Sequence, residues 1–253
     1  KLRLGVNARE GKVRFYPSEA SMYGGQYRGD ISIDATSNVA RVTLDEHVTG
    51  VNFAPLFKDM FETERVSGKG SANIKLAGVG RTTDDIMKTL DGTVDFKVAD
   101  GALEGSDLWY EIRRARAVLK QQAIPERPSG PPRTPFTALT GTGTMNDGVL
   151  KNDDLNVAMQ YLKVTGQGGV DLPKNSLDYR LVATVLKIPR EGADTSQMED
   201  MVDAQIPVKV TGALTDPKVR PDLESYVKGE VKKKVEEKIK DKLGDKLKDI
   251  FKR

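Results

Sequence analysis

The sequence predicts a mainly β protein with minor α content, built on an antiparallel sheet. Three observations carry this. Apolar and polar residues alternate in several separate runs, the mark of a sheet with one dry and one wet face. Turn residues punctuate those runs about every ten residues, as in a meander. The continuously apolar strands of a buried parallel sheet are missing.

The first run opens the chain: Leu2, Leu4, Val6 and Ala8 alternate with Lys1, Arg3, Gly5 and Asn7. Ile31 and Ile33 alternate with Asp30, Ser32 and Asp34. Val94, Phe96 and Val98 alternate with Thr93, Asp95, Lys97 and Ala99. The longest run is Leu177, Tyr179, Leu181, Ala183 and Val185. Three segments read as helix instead. Ala54–Phe61 carries Pro early, as helix starts allow. Thr83–Leu90 has a Thr cap and an acidic first turn. Asp107–Gln122 puts Leu108, Ile112, Ala115 and Leu119 on one stripe. Pro125–Pro135, with five prolines in eleven residues, reads as neither strand nor helix but as a loop.

The tail is different in kind. Val227, Val231, Val235, Ile239, Leu243 and Leu247, then Ile250 and Phe251, form a stripe on a charged helix over residues 223–253. If unbroken, that helix reaches about 46 Å. From Lys228 to Arg253 there are 11 basic and 6 acidic residues. The tail therefore accounts for the whole positive balance of the chain, which is +3 in all. Three uses stay open: closing the end of the sheet, lying on an anionic membrane surface, or a solvated tail.

A short phrase recurs. Asp147–Leu155 reads DGVLKNDDL and Asp100–Leu108 reads DGALEGSDL. A shift of 137 positions also superposes Gly11 on Gly148, Met22 on Met159 and Asp34 on Asp171. EGKVRF, DGALEG and DGVLKN then read as three versions of one hairpin turn. The organisation this predicts is a first sheet unit with short helices at 1–122, a Pro-rich loop at 123–135, a second, continuous sheet unit at 136–222, and the helical tail. A one-sided sheet must bury its dry face. Either the short helices leave part of it open as an apolar trough, or the face closes into an ordinary sandwich core.

Catalytic chemistry finds little to work with. There is no Cys and a single His, His47, beside Asp45 and Glu46 on a strand. A Ser-His-Asp arrangement, a thiol nucleophile and a His-rich metal site are not readable here. Asp153–Asp154 and Glu236–Glu237 are adjacent pairs; on a strand, neighbours point to opposite faces. Gly166, Gly168 and Gly169 lack the helix and Lys of a phosphate loop and read as close strand packing or bulges. Trp109 reads as a core anchor. Aromatics are not interleaved with the basic cluster, which argues against nucleic acid. No enzyme activity, cofactor or metal is expected. No run of 18 apolar residues would cross a membrane as a helix. The abrupt strand at the start suggests a piece of a longer protein.

Thr134–Leu181 resembles the C-terminal region of the AsmA family, envelope proteins of Gram-negative bacteria. The motif positions are Thr134–Phe136, Asp147–Val149, Asp154–Leu155, Gly166–Leu172 and Leu177–Tyr179. Leu90–Leu108 resembles the preceding block and Ile206–Leu223 the closing strand, so the resemblance spans Val66 to Leu223. It implies a curved antiparallel β-sheet forming a groove, built from related units; the short helices and the long C-terminal amphipathic helix are read from the residues above, and the Pro-rich insert and the charged tail are not part of the family's pattern. It further implies a periplasmic protein, anchored in the inner membrane by a segment not in this sequence. By similarity to bridge-like lipid-transfer proteins, its partner would be phospholipid or another acyl-chain ligand, moved between inner and outer membranes. The alternative is an envelope scaffold or assembly-factor module binding protein partners. The expected groove floor is Leu4, Val6, Ile31, Ile33, Val94, Phe96, Met159, Leu181 and Ala183. A one-residue slip in any strand would turn its members outward.

Overall fold

The computed structural model describes residues 1–189 and 198–229. Twelve strands form one antiparallel sheet in simple sequence order. They are β1 Leu2–Arg9, β2 Lys12–Met22, β3 Gly25–Asp34, β4 Ala40–Asn52, β5 Val66–Gly80 and β6 Asp91–Glu104, then β7 Arg133–Asn146, β8 Val149–Ala158, β9 Leu162–Asp171, β10 Ser176–Val185, β11 Gln205–Ala213 and β12 Asp216–Pro221. Helices α1 Phe53–Phe61, α2 Thr83–Lys88 and α3 Leu108–Leu119 interrupt them. A 3-10 turn, Glu199–Met201, precedes β11. The sheet is open and curved, and at ~4.8 Å per strand its width is about 50 Å along the curve.

Local chemistry explains the turns. Glu10–Gly11, Tyr23–Gly24 and Asp147–Gly148 all have two successive positive φ angles, the tight hairpin geometry that matches strand twist. Two of the three predicted hairpin phrases are therefore hairpins. The third is not. Asp100 has a φ of 49°, but Gly101 does not share it, and both lie inside β6. There the register with β5 shifts between Ser67 and Lys69, so DGALEG marks a bulge.

The helices form where the sequence places them. The Thr82 side chain accepts the Asp85 amide and Asp85 answers to the Thr82 amide, a capping box. The Asp107 carboxylate accepts the Tyr110 amide at 2.9 Å and starts α3. The buried face of α3 is Leu108, Tyr110, Ile112 and Ala117, whereas Leu119 stays 39% exposed. The stripe through Ala115 and Leu119 is thus rotated from its expected position, because α3 lies against β7 and β12 at an angle the helix alone does not define. Two further expectations change. Pro135 lies within β7, exposed near its start, where the missing amide is tolerated. Residues 223–229 are helical, with Asp222 capping the Ser225 amide; the remainder of the expected long tail helix lies outside the described residues.

Twist closes one end of the sheet. Each strand turns roughly 20–25° from its neighbour, and over the seven steps from β5 to β12 this brings the last hairpin back to the start of β5. Arg65 Nη2 donates to Asp216 Oδ1 at 2.7 Å, and Thr63 Oγ1 to the Thr215 carbonyl at 3.4 Å. Inside this curl sits the core: Val98, Val157, Val164, Val185 and Val208 from the sheet, Leu108 and Ile112 from α3, and Met198 and Met201 beside the 3-10 turn.

Candidate functional site

Strand register shows which residues share a face, because directly paired residues point the same way. Val6 pairs with Phe15, Phe15 with Ile31, Ile31 with Leu44 and Leu44 with Leu76. One step along the strands, Leu4, Ser18, Gly29, Glu46, Ile74 and Val94 form the next row. Farther on, Val98 pairs with Leu139, Leu139 with Val157, Val157 with Val164, Val164 with Ala183 and Ala183 with Ile206. Leu4, Val6, Ile31, Ile33, Val94, Phe96, Leu181 and Ala183 accordingly all lie on one continuous face. Met159 does not belong to a strand. It sits in the β8–β9 turn, donating its amide to Leu162 at 3.0 Å, and packs half-buried against the core.

The face is open at one end and filled at the other. Leu4 and Val6 are 50% and 58% exposed, and Ile31, Ile33, Val94 and Phe96 are half-buried. Leu181 and Ala183 are 8% and 0% exposed. They pack in one cluster with Leu108 and Ile112 of α3 and with Met198 and Met201. They therefore belong to the packed core and not to the open floor; nothing in the strand pattern tells that α3 returns over this end. α1 and α2 lie on the same face nearer its middle. A Cβ at Gly70 would run into the Phe53 ring of α1, and one at Gly78 would meet Ile86 of α2. The half of the face outside that cluster runs from β1 to β6, roughly 24 Å across the strands, with α1 and α2 packed on β5 within it.

The opposite face is wet and charged. Lys12–Asp34, Lys75–Asp45 and Arg14–Asp30 pair across neighbouring strands. His47 is here, exposed, with Nδ1 2.8 Å from Asn73 Oδ1 and Nε2 3.2 Å from Asp45. Exposed pairs of this kind contribute about 0–1 kcal/mol each; their main effect is to fix which face is wet.

Two features of the dry face escaped the sequence reading. First, Glu46 stands in it. The carboxylate converges with the Tyr27 hydroxyl above Gly29, where any Cβ would strike both. Both Glu46 oxygens are buried, and neither has a partner in hydrogen-bond geometry. The two groups are near enough to perturb each other all the same: burial first, and Glu46 second, push the Tyr27 hydroxyl above its ordinary value. Second, Asn152 lies on this face, 1% exposed, and ties β8 to β7. Gly168 admits the Tyr179 ring; a Cβ there would come 2.5 Å from Tyr179 Cγ. The period-two pattern gives no hint of either polar side chain, because both occupy positions that alternation assigns to apolar residues.

Among the described residues, no group of three or more His, Asp or Glu could hold a metal ion, and no helix is long and apolar enough to cross a membrane. Residues 1–155 match the model of the AsmA family. That span runs from β1 into β8 and contains the whole open groove. It overlaps the region of resemblance from Val66 to Leu155, extends it to the first strand, and does not reach the part of that region beyond Leu155. No curated protein and no solved structure matches the chain.

Proposed function

Because the chain belongs to the AsmA family, we propose that it is a non-catalytic module of the bacterial envelope that shelters phospholipid acyl chains in the open half of its groove. Family membership supports an envelope-associated role. The reading places the module in the periplasm, as part of an inner-membrane-anchored protein serving lipid passage between the two membranes and outer-membrane homeostasis.

The observation that carries this reading is the register-continuous apolar face from β1 to β6, which α1 and α2 cover only in part. Wetting one CH₂ costs about 0.8 kcal/mol, so two acyl chains of about 30 CH₂ would cost more than 20 kcal/mol in water. A floor of Val13, Phe15, Ile31, Leu44, Ile74 and Phe96 removes much of that cost. Its span of roughly 24 Å exceeds the ~15 Å hydrocarbon depth of one leaflet, so an extended chain fits along it. The headgroup stays in water, and binding is nearly balanced against the bilayer, as transfer requires.

A second reading is favoured by the β1 edge. Among the described residues, β1 pairs with β2 alone, and Leu2 is 73% exposed. Such an edge suits strand addition by a protein partner, which would make the module a scaffold or assembly factor. Native mass spectrometry after gentle extraction separates the two. The lipid reading predicts protein with bound phospholipid, identified by organic extraction. Protein free of lipid, with a partner chain held on the β1 edge, would sink it.

A further inference from the structure

Away from the open groove, at the curled end, a cavity of about 290 Å³ lies between the start of α3, the Pro-rich loop and β12. Four cations line it: Arg65, Arg127, Lys218 and Arg220. The three acids in its wall are already engaged. Asp107 caps α3 at 2.9 Å, Glu111 pairs with Arg114 at 3.3 Å, and Asp216 accepts Arg65 at 2.7 Å. Arg127, Lys218 and Arg220 make no ion pair among the described residues. Tyr110 is 7% exposed, lines the same cavity, and its hydroxyl has no hydrogen-bond partner among the described residues. Two guanidinium carbons lie near its ring, Arg127 at 5.1 Å and Arg113 at 6.0 Å from the centroid.

We propose that this cavity binds a phosphate group. Arg127, Lys218 and Arg220 on the wall of one cavity, none of them in an ion pair among the described residues, repel one another, and an anion among them turns the repulsion into attraction. Guanidinium groups match phosphate oxygens in paired hydrogen bonds, and lysine adds a point charge. The Tyr110 hydroxyl supplies a further donor, and the positive end of the α3 dipole points the same way. The volume is at the low end of ligand pockets, about 300–1,000 Å³, and suits a phosphate with a small substituent such as glycerol. The phosphate belongs either to a lipid headgroup or to a free phosphate ester. The site goes beyond the acyl-chain groove, and its chemistry stands whether or not acyl chains occupy that groove.

The chain carries one tryptophan, Trp109, next to Tyr110 on α3 but packed against the core, so a change in its emission is read as an indirect signal. The full chain is titrated with sodium phosphate, with glycerol 3-phosphate, and with a short-chain phosphatidylglycerol kept below its micelle threshold. Equilibrium dialysis with radiolabelled phosphate and glycerol 3-phosphate, and with the same lipid quantified by mass spectrometry, covers the case of a silent fluorophore. The expected result is saturable binding that weakens about tenfold or more in R127A/R220A and less in Y110F, while K12A binds like the wild type. Equal binding of the ester and the lipid assigns the site to the phosphate ester alone; binding of the lipid only assigns it to the headgroup of a bound lipid. No saturable binding of any probe, or affinity unchanged in R127A/R220A, overturns the proposal. Loss of co-extracted phospholipid with phosphate binding intact would count against the groove alone.

Discussion

Asn152 on β8 donates from Nδ2 to the Thr142 carbonyl on β7 at 2.6 Å. Two residues on, Asp154 accepts the Thr142 amide at 2.7 Å and the Thr142 hydroxyl at 2.8 Å. Side chains thus replace the backbone ladder where the β7–β8 register shifts between Thr140 and Thr144. A shifted strand would otherwise leave a half-buried carbonyl and an exposed amide to water. The pair therefore fixes the register at the point where the open half of the sheet passes into the filled half.

Asn152→Leu should destabilise the protein by about 0.5–1.5 kcal/mol, the net worth of the hydrogen bond to the half-buried Thr142 carbonyl. Asp154→Ala should act on the same bulge, so the double variant should lose less than the two single losses combined. Urea denaturation of the three variants checks this. Additive losses would mean that the two side chains hold independent contacts.

The two ends of the apolar face should answer a charge differently. Val6 is 58% exposed, so Val6→Glu should change stability by no more than about 0.5 kcal/mol. Phospholipid recovered per mole of protein should nonetheless fall, because the floor now presents a carboxylate. Val208 is 2% exposed inside the packed cluster, and Val208→Glu should unfold the domain or lower its stability by several kcal/mol. Thermal denaturation with parallel lipid extraction reads both. A Val6→Glu protein that folds and loads fully would place the lipid elsewhere.

Much of this arrangement was legible in the sequence, and the limits have identifiable causes. Alternation placed Leu4, Val6, Ile31, Ile33, Val94 and Phe96 on one face because the side-chain period of a strand is two, whatever the tertiary context. The helix starts were legible to within a residue because short acceptors act on amides three residues away: Asp107 caps α3 as read, and Thr82, one residue before the segment read from Thr83, caps α2. Long-range packing was not. That α3 folds back over Leu181 and Ala183 depends on accumulated sheet twist, which no local pattern records. The repeated Asp-Leu phrase also misled at one end. Asp154 pins a bulge, whereas Asp107 in the matching position caps a helix, since both need the same short acceptor.

Gly168→Ala should destabilise by about 1–3 kcal/mol, the range for overpacking a fitted interior. The added methyl meets the Tyr179 ring and the Asp178 carbonyl. If the ring contact contributes, Tyr179→Ala in the same chain should reduce the penalty only in part, because the Asp178 carbonyl and the Tyr179 Cα, at 2.4 and 2.6 Å from the added methyl, stay in place. Urea midpoints of the four proteins test it; an undiminished penalty would point to backbone strain instead.

Acid should loosen the start of the C-terminal helix at a defined step. The Lys209 ammonium, and then Ser225, hold Asp222 down to about 2; Lys209 Nζ lies 2.7 Å away. A depressed carboxylate contributes stability above its unfolded value of about 3.9, and the contribution disappears as pH falls through the folded value. The stability difference between wild type and Asp222→Asn should be constant above pH of about 5 and fade between about 4 and about 2. Denaturation midpoints across that range check it, and a difference that persists unchanged at the acid end would mean that charge is not the agent.

Glu46 is the one ionisable side chain in the row that runs from Leu4 through Ser18 and Gly29 to Ile74 and Val94. Its oxygens are buried without hydrogen-bond partners, and the Tyr27 hydroxyl beside it is off geometry. Burying a carboxylate in this way opposes folding. Replacing an interior polar pair by apolar groups of similar shape is often neutral or stabilising, by roughly 1–4 kcal/mol. Tyr27→Phe/Glu46→Leu should therefore be at least as stable as the wild type, and should hold more phospholipid, because the floor loses its one ionisable group and Ser18 is the polar side chain left in that row. Glu46→Leu alone should capture most of the gain, since its partner is only weakly engaged. Urea denaturation and lipid extraction on the single and double variants decide the matter. A double variant less stable by 1 kcal/mol or more, on the order of a net hydrogen bond, would show that Tyr27 and Glu46 hold β3 to β4 in spite of their poor geometry.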